Sequence, residues 1–71
     1  MKAGILELFE TEFKRVNDEY FEKEKVYYEM CGFVRALFAL NSITKFERIV
    51  LVAALADWRE TGVWNGLDSE F

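Results

Sequence analysis

Apolar residues recur along the first half of this chain at alternating intervals of three and four. The positions are Leu6, Phe9, Phe13, Val16, Tyr20, Lys23, Tyr27, Met30, Val34 and Leu37, and only Lys23 is not apolar. That is a heptad seam sustained over more than four repeats, and it predicts a helix from about residue 3 to about residue 40. The positions between are largely charged, among them Glu10 and Lys14, and Glu19 and Lys23. Those two pairs, four residues apart in the favourable order, each add a few tenths of a kcal/mol to an isolated helix.

The pattern stops at Asn41-Ser42-Ile43-Thr44-Lys45-Phe46-Glu47. Asn41 and Ser42 are good N-cap residues, and Thr44 followed three residues later by Glu47 has the form of a capping box. A second helix is therefore expected from about residue 43 to about residue 60. Gly62 is placed to end it in the left-handed conformation, with Val63 available for the accompanying apolar contact. Residues 61–71 contain turn formers and no period, and read as an irregular tail. The short connection makes the second helix run back along the end of the first. Phe33, Val34, Leu37, Phe38 and Leu40 would then face Phe46, Ile49, Val50, Leu51, Ala53, Ala54 and Leu55.

Length sets the next expectation. At 1.5 Å per residue the first helix would be about 55 Å long and the second about 27 Å. The second covers only the C-terminal half of the first, so Leu6, Phe9, Phe13, Val16 and Tyr20 would lack a partner within the chain. Apolar surface of that extent is not left to water. The predicted architecture is all-α: a helical hairpin with an extended first helix, paired as a homodimer into a helical bundle. The alternative is a monomeric three-helix bundle, with the long helix broken near Asn17-Asp18. On the first reading the partner interface comprises Leu6, Phe9, Phe13, Val16, Tyr20, Tyr27 and Trp64, Trp64 either tucking back onto the hairpin or anchoring a partner. A charge at Phe13 should then split the dimer and spare the hairpin.

Composition narrows the function. At 71 residues the chain is a single domain, and a core this small needs unusually good packing or a partner subunit. Cys31 is the only cysteine, which excludes an internal disulfide and fits a reducing compartment. With no adjacent cation to activate it, that thiol reads as a small packed residue. There is no histidine, so no structural zinc set and no ordinary general base near neutral pH. With no Gly-rich phosphate loop either, no enzyme, cofactor or metal site is expected. The longest clean apolar run, from Ile49 to Ala56, is too short for a membrane span, which needs about 20 residues. No signal peptide is evident, and a cytoplasmic protein is expected.

The net charge of −4 argues against direct nucleic-acid binding, because phosphates demand a basic face. All of that excess lies between Glu7 and Glu29, which hold eight acidic and four basic residues. The sequence therefore points to a protein–protein interaction module (an assembly, adaptor or regulatory protein) with a further protein partner that it does not name. The alternative is an acidic inhibitor that mimics nucleic acid and blocks a basic site on a target, as accessory proteins of phages and mobile elements can.

Overall fold

A computed structural model describes residues 1–64. Three helices account for most of them: α1 (Ile5–Glu19), α2 (Lys23–Ala39) and α3 (Lys45–Thr61). Among the described residues there is no strand, so the all-α class holds. The extended first helix does not. The chain leaves the helix at Tyr20 (φ −109°, ψ 138°) and resumes it after Glu22 (φ −94°, ψ 121°). Both are ordinary extended conformations, so the break needs neither glycine nor proline. It falls three residues beyond Asn17-Asp18, which stay helical.

Burial explains the fold-back. A continuous rod would leave Phe9, Phe13 and Val16 in water, at roughly 1.5–3 kcal/mol for each large apolar side chain. Turning back over α2 and α3 buries all three within the chain, Phe9 completely. The heptad seam is thus folded on itself. Lys23, its one polar position, marks the place where the phase is no longer needed. The core joins those three residues to Val26, Met30, Val34 and Leu37 of α2, Ile43 of the connection, and Leu51, Leu55 and Trp58 of α3.

Helices α2 and α3 form the predicted hairpin. Asn41 adopts a left-handed conformation (φ 59°), which asparagine tolerates, and the Ser42 amide donates to the Leu37 carbonyl at 2.9 Å to close the last turn of α2. Asn41 thus ends α2; the N-cap of α3 is Thr44. The capping box is complete: the Glu47 amide donates to Thr44 Oγ1 at 3.1 Å, and the Thr44 amide donates to Glu47 Oε1 at 2.7 Å. Along the hairpin the Arg48 guanidinium lies 4.6 Å from the centre of the Phe38 ring, and that of Arg59 4.2 Å from Tyr27.

Helix α1 meets α3 through large aromatic side chains. Phe13 packs edge-on against Trp58, ring centres 5.0 Å apart, and stacks on Trp64 at 4.7 Å. Trp64 therefore folds back, onto α1, and its indole N–H donates to Glu10 Oε2 at 3.4 Å.

Gly62 closes α3 at φ 78°, as expected from its place in the sequence. A Cβ added there would also come within 2.7 Å of Lys23 Nζ, so the Lys23 ammonium sits over the C-terminal end of α3, where the helix dipole favours a cation. Gly62→Ala is expected to cost about 1 kcal/mol through the strained backbone, with the displaced ammonium adding to it. The check is the urea midpoint of the variant; an unchanged midpoint would mean the end of α3 is free to rearrange.

Candidate functional site

Six of the seven residues expected at a partner interface lie in or against the chain's own core, and Leu6 lies on the side of α1 outside it. Phe9, Phe13 and Val16 are buried; Leu6, Tyr20, Tyr27 and Trp64 are half-buried. The expectation that the seam lacks a partner within the chain is corrected, because α1 is short enough to fold over the hairpin and cover it.

Folding leaves Leu8, Phe21, Tyr28, Leu40, Phe46, Ile49 and Val63 exposed. Of these, Phe46 (70% exposed) and Ile49 (55%) lie within one turn of each other on α3. Helix α3 carries two apolar stripes. Leu51, Leu55 and Trp58 point inward, while Phe46, Ile49 and Ala53 recur at helical spacing on the outer side. A helix packed on one side needs only one apolar stripe, so the second, which the sequence pattern places in the same hairpin contact, is surplus to it.

On the side of the hairpin away from α1, the outer stripe borders a groove of about 490 Å³ between α2 and α3. Its walls are Cys31, Val34 and Arg35 from α2 and Arg48, Ile49, Val52, Ala53 and Ala56 from α3. The alanines keep it open, since larger side chains there would fill it. Cys31 is half-buried there, packed against the edge of the core, as its reading as a small packed residue expects. Its interaction with Tyr27 holds the tyrosine hydroxyl above its ordinary range.

Charge is unevenly spread over this face. At the end near the interhelical turn it carries Arg35, Lys45 and Arg48; Glu47, the acidic residue nearest in sequence, is turned inward and buried. At the other end it carries Tyr28, Glu60 and the ion pair of Arg59 with Glu24 (3.4 Å). Among the described residues, Arg35, Lys45 and Glu60 take part in no ion pair.

The acidic α1 is partly neutralised on its own surface. Arg15 bridges Glu12 at 2.8 Å and Glu19 at 2.9 Å, and its guanidinium holds the Glu12 carboxyl below the usual range. Among the described residues, no three His, Cys, Asp or Glu side chains gather in a metal-holding group, and no helix is long and apolar enough to cross a membrane. Comparison with known proteins finds no matching family model, no matching curated protein and no matching solved structure.

Proposed function

We propose that this chain acts as a small protein–protein interaction module, working through the outer face of the α2–α3 hairpin and not by catalysis. The observation that carries the reading is the groove itself: largely apolar walls, with Arg35 and Arg48 at one end, and exposed Phe46 beside exposed Ile49 along α3. Contiguous apolar surface of this kind marks contact sites more often than it is left idle. The absence of histidine and the single thiol fit a binding protein of a reducing compartment such as the cytoplasm.

An acidic inhibitor is the second reading, and the bridging of Glu12 and Glu19 by Arg15 weakens it. Salt separates the two. Apolar docking holds in concentrated salt, whereas an acidic arm in a basic site is released by it. The test is affinity capture from the native cell with a salt-stable wash, comparing the wild-type chain with Ala53→Glu on the outer face and Leu8→Glu on the exposed side of α1. Capture lost only for Ala53→Glu supports the module. Capture released by salt in all three supports the inhibitor, and no capture by any of them removes the module reading.

A further inference from the structure

Resting on that reading, we infer that the occupant of the outer face is a second copy of this chain, docked antiparallel about a twofold axis near Ala53. Two features of the face support this. The first is the spacing of small and apolar residues. Lys45, Ile49, Ala53, Ala56 and Glu60 follow one another at intervals of three and four, so they form one stripe along α3. Ala53 lies at its middle, where a small side chain lets two helices approach closely. On α2, Tyr28, Cys31 and Arg35 run alongside at the same spacing.

The second feature is charge. The turn end of the face carries Arg35, Lys45 and Arg48, and the opposite end carries Tyr28, Glu60 and the Arg59–Glu24 ion pair, which cancels internally. A parallel copy would set like charge on like. An antiparallel copy lays each turn end on the other's open end, bringing Lys45 to the partner's Glu60 and Arg35 to the partner's Tyr28. A twofold axis makes every such contact twice, as an isologous interface requires. Exposed ion pairs add little affinity, but they decide orientation. Ile49, Val52 and Ala56 would supply the apolar contact, stripe against stripe.

The experiment is sedimentation equilibrium of the full chain from low micromolar to submillimolar concentration, read beside circular dichroism. The wild type should sediment at twice the monomer mass in the upper range. Ala53→Glu, which places two carboxylates at the axis, should sediment as a monomer with its helical signal retained, since position 53 is exposed and glutamate is a good helix former. Leu8→Glu should remain dimeric. Orientation is tested by charge exchange. Lys45→Glu should weaken the dimer several-fold at low salt, and the double variant Lys45→Glu with Glu60→Lys should restore it. Both exchanges suit the helix dipole, so a loss cannot be ascribed to unfolding. Reaction of Cys31 with a thiol reagent gives an independent reading, and its rate should fall in proportion to the monomer fraction as concentration rises.

A wild type that stays monomeric with a concentration-independent Cys31 rate would overturn the second-copy inference. The module reading would still stand or fall on affinity capture. A dimer split by Leu8→Glu and not by Ala53→Glu would move the interface to α1 and overturn the inference as well. A dimer indifferent to the charge exchange would overturn the antiparallel pairing.

Discussion

Replacing Phe13 with aspartate is expected to unfold the chain at every protein concentration. Phe13 is buried, with one face stacked on Trp64 and its edge against Trp58, so it ties α1 to α3 and to the segment that follows. Truncating a buried phenylalanine to alanine costs about 3–5 kcal/mol. An unpaired carboxylate in the same place costs several kcal/mol more. A domain of this size holds only about 3–5 kcal/mol in its core, so the variant has no folded state to occupy. The measurement is circular dichroism across a concentration series, and the expected spectrum is that of an unfolded chain throughout. A variant that kept its helical signal and merely sedimented as a smaller species would show that Phe13 faces a partner, as an extended first helix would have placed it. Ala53→Glu makes the useful contrast, because it adds the same charge on an exposed position.

The second expectation concerns Glu47 and acid. Its carboxylate is buried, accepts from the Thr44 amide, and pairs with the amino group of Met1, which is shielded with it. One side chain thus caps α3 and pins the start of the chain against it. The Met1 ammonium, followed by the hydrogen bond from Thr44, holds the Glu47 carboxyl below the usual carboxylate range. With the folded-state pKa depressed, this contribution to stability is complete above the unfolded value of about 4.3 and disappears as pH falls through the folded value. The urea midpoint of the wild type should therefore drop below about pH 4.3, and the Glu47→Gln variant, which cannot titrate there, should show a flatter profile. Glu12 titrates with the same sign from an exposed position, so the difference between the two profiles isolates Glu47. At neutral pH, Glu47→Ala should cost about 3 kcal/mol, because it removes the cap and leaves a shielded ammonium without its partner. Equal acid sensitivity in wild type and Glu47→Gln would mean that the Met1–Glu47 pair contributes nothing to folding.

Local chemistry was legible along the chain wherever its range is one helical turn. The spacing of Leu6 through Leu37 requires helix, Thr44 and Glu47 announce the start of α3, and Gly62 its end. Each signal involves residues within four positions of one another; the structure carries the start and end of α3 as read, and carries the helical seam only with a break at residues 20–22. The heptad seam also identified Phe9, Phe13, Val16, Met30, Val34 and Leu37 as apolar positions that must be covered, and all six are buried.

What covers them was a matter of tertiary structure. Nothing in Tyr20-Phe21-Glu22 obliges the helix to stop; the break is worth its lost hydrogen bonds because the same turn of chain buries three large side chains of α1 at once. The two apolar stripes of α3 are likewise equivalent in sequence, and the packing of α2 over one of them, with Phe13 of α1 reaching it at Trp58, leaves the other, with Phe46, Ile49 and Ala53, facing water. Glu47 could be recognised as a capping residue, but its pairing with the Met1 amino group joins positions more than forty residues apart. The sequence by itself determined the helices and the residues that had to leave water. The packing of three short helices decided which apolar surface was left over, because burial is a sum over the whole chain and no local pattern can apportion it.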